Sequence, residues 1–425
     1  MLDLKFIREN PELVKKGVES KNEKSKVDEI LALDKERREY LQRTEDLKAK
    51  RNTVSQEVAR MKKAGENADH IVADMKNVSE EIKILDDRLR EIGEKLNEYL
   101  MWIPNLPHES VPYGKSAADN IEDRQWLPEG FAFKNEEPVL DHVELGKKLN
   151  ILDFERGAKI SGSGFPVYVG KGATLERALI NYMLDLHLSD HGYTEMMPPL
   201  LVNRDSMTGT GQIPKMEEDM YHCEKDDLFP IPTAEVPITN FHRNEILNED
   251  QLPIKYVGYT KCFRREAGSY GKDSKGFLRV HEFNKVEMVK FVKPETSYDE
   301  LEKLVIDAED ILQALKIPYR ILKLCTGDLS FSAAKCYDIE TWSPAENKWL
   351  EASSCSNFEN FQARRADIRF RKSEDKKVEF VHTLNGSGLA TSRLMVSILE
   401  NYQTPEGKVI VPEVLQRYTG FKIIE

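Results

Sequence analysis

CFRREAGSYGKDSKGFLRVHEFNKVEM, residues 262–288, reads as a strand, a glycine-rich turn and a second strand. Arg264 and Glu266 stand two apart, which on a strand puts both on one face. The connecting loop is polar and carries Gly268, Gly271 and Gly276. The returning strand alternates Arg279, His281, Phe283, Lys285 and Glu287. A hairpin that aims an arginine, an acid and an aromatic ring at one surface suits a purine triphosphate. Arginine grips phosphate through two N–H groups, phenylalanine offers a stacking plane, and a carboxylate accepts from the adenine amino group. The plainer alternative is a hairpin whose charges pair in solvent, and the segment alone leaves both open.

Two further segments carry related chemistry. In NGSGLATSRLMVSILENYQ (385–403), Asn385 to Gly388 read as the entrance to a helix beginning at Leu389, with Arg393 one turn in. Glycine there permits close backbone approach, and a helix N-terminus favours an anion. In LEASSCSNF (350–358), Glu351 and Ser354 could hold Mg2+, which prefers one or two carboxylates plus substrate oxygens. A serine capping cluster is the competing reading. The common nucleotide signatures GxxxxGK[ST] and GxGxxG are missing, so a nucleotide site must be of another kind. Strand-like runs recur at 254–259, 278–292, 319–324 and 337–342, with helices over 174–190 and 297–315. GYTEMMPPLLV (192–202) reads as a strand stopped by Pro198 and Pro199. Hairpin-length spacing predicts an α+β unit: a largely antiparallel sheet with helices on it.

The first hundred residues are a different material. They hold one proline, Pro11, and three glycines, Gly17, Gly65 and Gly93. From Ile71 the apolar positions run Ile71, Met75, Val78, Ile82, Leu85, Leu89, Ile92, Leu96, Tyr99, Ile103, in unbroken steps of four and three. That is a coiled-coil seam. Upstream, Leu33, Tyr40, Leu47, Val54 and Met61 alternate with Ile30, Arg37, Thr44, Arg51 and Val58, a weaker seam. KKAGENAD (62–69) supplies turn chemistry between them, which predicts an antiparallel helical hairpin. At 1.5 Å per residue, 30–61 spans about 48 Å. IPNLPHESVPYG, with Pro104, Pro107 and Pro112, reads as a linker at about 104–115. The domains expected are therefore an arm over 1–104 and a second domain over 105–425.

Charge divides the same way. The net charge of −12 argues against a nucleic-acid partner until the chain is split. Residues 1–100 carry 22 basic and 23 acidic side chains, which leaves −11 on the rest. Within 48–63, Lys48, Lys50, Arg51, Arg60, Lys62 and Lys63 face one acid, Glu57. A basic tip on a neutral rod suits a phosphate backbone, although a dimerisation or spacer coil would also explain the rod. The longest uncharged apolar stretches, such as 196–202, fall far short of the roughly 20 residues of a membrane span. MLDLKFIREN has no secretory character. The five cysteines, Cys223, Cys262, Cys325, Cys336 and Cys355, form no CxxC pair. This predicts a reducing cytoplasm and no zinc site.

Together these segments resemble a known family. FRRE with its loop and RVHEF resemble motif 2 of the class II aminoacyl-tRNA synthetases, NGSGLATSR resembles motif 3, and GYTEMMPPLLV resembles motif 1. With TAE at 233–235, EASSCSNF and the helical hairpin, the resemblance is to bacterial-type seryl-tRNA synthetases, over essentially all 425 residues. It implies the class II antiparallel sheet flanked by helices, with a long N-terminal hairpin arm. It implies activation of L-serine with ATP and Mg2+ to seryl-adenylate, then transfer to the 3′ end of tRNA(Ser), and also to tRNA(Sec).

By the same resemblance, Arg264 grips the α-phosphate and the serine carboxylate, and Glu266 reads the adenine amino group. Phe283 stacks the adenine, Arg393 sandwiches it and neutralises the γ-phosphate, and Glu351 and Ser354 hold the metal. Arg265, Arg279, Val280, Ala352 and Ser353 complete the nucleotide set. Thr233, Ala234, Glu235, Glu287, Asn385 and Ser387 surround the serine. Lys48, Arg51, Lys62 and Lys63 would meet tRNA, and motif 1 would pair two subunits as a homodimer. Two alternatives stay in view: a ligase that loads a carrier protein, whose members lack the arm, and a non-catalytic RNA-binding paralogue. The latter would show decay at Arg264, Glu287 or Arg393, and all three stand.

Overall fold

The computed structural model describes residues 1–133, 139–268 and 276–425. The chain divides into two compact units, Met1–Glu19 with Glu23–Pro104, and Ser20–Asn22 with Asn105–Glu425. No helix among the described residues is long and apolar enough to cross a membrane.

The first unit is built on two helices, Val27–Ala64 and Asp69–Met101, packed side by side. Gly65 ends the first in the left-handed region (φ 79°), its N–H and that of Glu66 returning to the carbonyls of Lys62 and Met61. Only glycine takes that conformation without a Cβ penalty. The pairs Glu36–Arg88 and Arg43–Glu81 run in opposite chain directions, as the tight turn at Gly65 requires, so the helices are antiparallel. Ile82, Leu85, Ile92, Leu96 and Ile103 are buried, and the other seam positions from Ile71 on are half-buried. The weaker seam also closes. Arg37 and Arg51 are half-buried there, which the long apolar stem of arginine allows.

The second unit is organised by an eight-stranded sheet: β1 (Ile121–Trp126), β2 (Thr194–Glu195), β3 (Ile254–Phe263), β4 (Glu282–Val292), β5 (Tyr319–Lys323), β6 (Lys335–Ser343), β7 (Lys348–Asn357) and β8 (His382–Ala390). Their spatial order is β1-β5-β6-β7-β8-β4-β3-β2. Every pairing is antiparallel except β2 on β3. Alternation along β4 sets the layers. Val286, Met288 and Val292 enter the main core, where helices Ser297–Ala314, Lys171–Ser189 and Thr391–Asn401 cover the sheet. Val289 and Phe291 enter a second cluster with Ala234, Ile238, Ala363 and Ile368, beneath short helices Glu235–Asn240 and Phe361–Ala366.

Three expected boundaries differ. The 192–202 strand is two short pieces, Thr194–Glu195 and Leu201–Asn203, because the Pro198–Pro199 pair has no N–H to give a ladder. The returning strand of the decisive hairpin starts at Glu282, not at 278. Opposite it, Arg265–Gly268 winds into a 3-10 turn, so the ladder ends at the bond from the Arg264 N–H to the His281 carbonyl (2.9 Å). Glu266 therefore sits in that turn and not on a strand face. Lastly, NGSG lies within β8, and the helix begins at Thr391. Its glycines serve packing: a Cβ on Gly386 would stand 2.8 Å from Cys355 Sγ, and one on Gly388 would stand 2.3 Å from His187 Nε2.

Candidate active site

The pocket face of the sheet follows from register. Ser387 on β8 pairs with Glu287 on β4, Glu287 with Gly258 on β3, and Asn385 with Ser356 on β7. Odd-numbered residues of β4 thus share one surface with Asn385 and Ser387 of β8, which floors a pocket of about 430 Å3. Thr233, Glu235, Arg264, Glu266, Arg279, Val280, Phe283, Glu351, Ala352, Ser353, Ser354, Asn385, Ser387 and Arg393 all line it.

At one end the residues are buried and acidic. Asn385 Nδ2 donates to Glu287 Oε1 at 2.8 Å and to Glu235 Oε2 at 3.2 Å. Thr233 Oγ1 donates to Glu287 Oε2 at 3.1 Å, and Lys285 pairs with the same carboxylate while reaching Thr233 Oγ1 at 2.9 Å. Burial pushes the Glu235 carboxyl up to about 7, and the neighbouring Glu287 charge adds to the rise. The result is a floor of two acids and one lysine, with hydroxyl and amide groups beside them. It can accept from a small ammonium and exchange hydrogen bonds with a hydroxyl.

The other end is cationic and aromatic. The Arg264 guanidinium lies 5.1 Å from the centre of the Phe283 ring. Arg393 sits in the first turn of its helix and stands 3.2 Å from Glu351 Oε2, with its Nη1 on the Glu351 carbonyl. Ser354 Oγ lies 3.0 Å from Cys336 Sγ and bonds Asp338, whose carboxyl is pushed up by burial and by the Glu351 charge. Among the described residues no group of three or more His, Cys, Asp or Glu could hold a metal by itself. One carboxylate and one hydroxyl suit a magnesium ion that takes its remaining ligands from phosphate and water.

Some expected residues fall outside the lining. Ala234 is buried in the second core cluster, and Arg265 turns outward to donate to the Glu218 carbonyl at 3.0 Å. Glu287 is fully buried, one layer beneath Thr233 and Asn385. His281 is satisfied by the Arg264 carbonyl (3.0 Å) and Tyr221. Gly271 lies outside the described residues. On the arm, Lys50, Arg60, Lys62 and Lys63 are exposed, Arg51 is half-buried on the seam and Lys48 pairs with Asp86. Two participants lie outside the set expected from the sequence. Lys285 follows the alternation of its strand and reaches Glu287 and Thr233, and Gln362, which donates to Glu235 Oε1 at 2.6 Å, comes from a helix with no distinguishing pattern.

Residues 1–107 match the family model described as Seryl-tRNA synthetase N-terminal domain, and residues 219–402 match the tRNA synthetase class II core domain (G, H, P, S and T). The serine–tRNA ligase of Chloroherpeton thalassium is 62% identical over the full length of both chains, and that of Chlorobaculum parvum 58% identical. This chain belongs to the seryl-tRNA synthetase family. Its activity is serine–tRNA ligation: it joins serine to tRNA and uses ATP to do so. A crystal structure of seryl-tRNA synthetase from Pyrococcus horikoshii complexed with ATP is 42% identical, with a TM-score of 0.94 over 100% of this chain and 99% of that one. The cytoplasmic serine–tRNA ligase of Naegleria fowleri, solved with AMP, is 30% identical with a TM-score of 0.89.

Proposed function

We propose that the pocket forms seryl-adenylate with the residues just described in divided roles. Serine sits at the acidic floor, its ammonium received by Glu235, with the Glu287 charge one layer beneath, and its hydroxyl by Thr233, Asn385 and Ser387. Supporting this, Asn385 bridges the two carboxylates in a buried setting, where an unmatched polar ligand is rejected strongly. That bridge carries the reading. Arg264 then holds the α-phosphate and the serine carboxylate, Phe283 and Arg393 enclose the adenine, and Glu266 reads its amino group. In-line attack of the carboxylate on the α-phosphate needs positioning and charge neutralisation more than a protein base. Glu351 and Ser354 would hold Mg2+, which neutralises phosphate charge when bound, and Arg393 on Glu351 supports their sharing one polyphosphate.

We further infer that the helical hairpin meets tRNA(Ser), and tRNA(Sec) as well, through Lys48, Arg51, Lys62 and Lys63. At 3.6 residues per turn, Lys48, Arg51 and Lys62 fall within an arc of about 60°. A homodimer forms across the edge strand at Thr194–Glu195. Met197 beside it is 86% exposed, and Leu200, Leu201, Phe241 and Ile246 are exposed too, a surface that suits a partner. The five free cysteines fit a cytoplasmic setting. Pyrophosphate exchange that requires serine, run with and without tRNA transcripts, tests the whole scheme. Exchange that proceeds equally with threonine or without any amino acid would defeat it.

A further inference from the structure

A chain of buried hydrogen bonds runs behind the nucleotide end of the pocket. The Phe277 N–H donates to His142 Nε2 at 3.1 Å. Across the same ring, Nδ1 lies 3.0 Å from Glu400 Oε1, which also accepts the backbone N–H of His142 at 3.1 Å. The other oxygen of Glu400 accepts from the Ser343 hydroxyl. His142, Phe277 and Glu400 are 0%, 1% and 2% exposed. Because Nε2 accepts, the ring proton resides on Nδ1 and is donated to the carboxylate, so the pair fixes one tautomer.

These groups come from three separate segments. His142 opens the helix His142–Lys148, and Phe277 begins the limb 277–280 that lines the pocket up to Arg279 and Val280. Glu400 closes the helix whose first turn carries Arg393. The limb is clamped from both sides. The Phe277 ring lies 5.2 Å from that of Tyr168 and 5.3 Å from that of Phe154. A Cβ on Gly276, at φ +60°, would stand 2.2 Å from His142 Nε2 and 2.5 Å from Val143 Cγ2. The imidazole therefore demands glycine at 276 and holds the next amide itself.

We propose that His142 is a positioning residue for serine activation. It fixes the limb that carries Arg279 and Val280, and through Glu400 it ties that limb to the helix that carries Arg393. The proposal rests on the reading of this end of the pocket as the nucleotide side. Without the imidazole the Phe277 N–H is buried and unpaired, and the limb relieves the cost only by shifting.

The test is pyrophosphate exchange by the full chain, with ATP and serine varied separately. His142→Ala and His142→Asn should raise the ATP KM about tenfold, the loss expected for a stranded buried donor, with serine KM held within about twofold. Asparagine keeps a donor for Glu400 but is too short to reach Phe277, so it gives the reading if the alanine variant does not fold. His142→Gln, whose amide oxygen reaches the Nε2 position, should recover most of the ATP KM. Unchanged ATP KM with a lowered Tm makes His142 merely structural and overturns the proposal. Equal rises for both substrates, or equal ATP KM in the glutamine and asparagine variants, overturn it too. Phe283→Leu serves as the control for the underlying reading. If it leaves ATP KM unchanged, the nucleotide assignment fails; if it raises ATP KM where His142→Asn does not, only the present proposal fails.

Discussion

Gln362 donates from Nε2 to Glu235 Oε1 at 2.6 Å, in the interior and out of contact with solvent. Its own oxygen accepts from Thr383 Oγ1 at 2.7 Å, and Nε2 also reaches the Thr210 carbonyl at 3.2 Å. The amide is thereby fixed in one orientation, with only a donor facing the acid. Gln362→Leu should raise serine KM about tenfold, as loss of a buried bond to a charged group predicts, with ATP KM unchanged. Steady-state exchange kinetics check the split.

Serine use should also follow pH. Burial, reinforced by Glu287, raises the Glu235 carboxyl to about 7. Below that pH it is neutral and a weak partner for an ammonium; above it, it is charged. The kcat/KM for serine should therefore climb with pH through about 7, and Glu235→Gln should flatten the climb. Stability runs the other way. The folded pKa lies above the ordinary 4.5, so folding loses stability as pH rises from 4.5 to about 7, and the loss is complete above that. In thermal melts without serine, the Tm of the chain relative to that of Glu235→Gln should therefore fall as pH rises from about 4.5 to about 7.

Removing the Arg264 guanidinium takes away a charge contact with the developing pentavalent phosphorus. Arg264→Ala should lower the exchange rate on the order of 100-fold or more with folding intact. Near-normal exchange would return the hairpin to a solvent-facing ion-pair role.

Glu287 lies on the serine side of the floor, beneath Thr233 and Asn385. Glu287→Gln should raise serine KM far more than ATP KM. Equal effects would move this carboxylate into the nucleotide end.

The arm admits a clean excision. Residues 36 and 92 lie at one level of the hairpin, near the Glu36–Arg88 pair at 3.0 Å. Joining them through a short glycine linker should leave serine-dependent exchange largely intact while tRNA charging collapses. Arg51→Ala with Lys62→Ala should weaken tRNA binding and flatten its salt dependence, as loss of phosphate contacts requires. Charging at the normal rate after excision would reduce the arm to a spacer.

The parts of this molecule legible in its residues are those governed by a single period. The four-three seam from Ile71 to Ile103 follows burial, and the two-residue alternation of β4 sorts its residues between the two core clusters. Where a local signal competes with a distant partner, the distant partner decides. NGSG looks like a helix entrance, yet Cys355 and His187 pack where its glycines lack side chains and hold the segment in β8. Arg265 stands between two pocket residues but follows the 3-10 turn outward. Gln362 acts on Glu235 across the fold, and nothing in FQARRA foretells it.

The interleaved order of the sheet governs when chemistry becomes available during synthesis. The arm closes through one hairpin, so its contacts are complete once the helix ending at Met101 has emerged. The pocket draws on β4, β7 and β8, and its last contributor, Arg393, lies near the end of the chain. Such distant contacts form late, after most of the loop entropy has been spent. An unfinished chain consequently owns a folded arm and an open sheet, inert toward ATP and serine. Translation must pass residue 393 before a single adenylate can form.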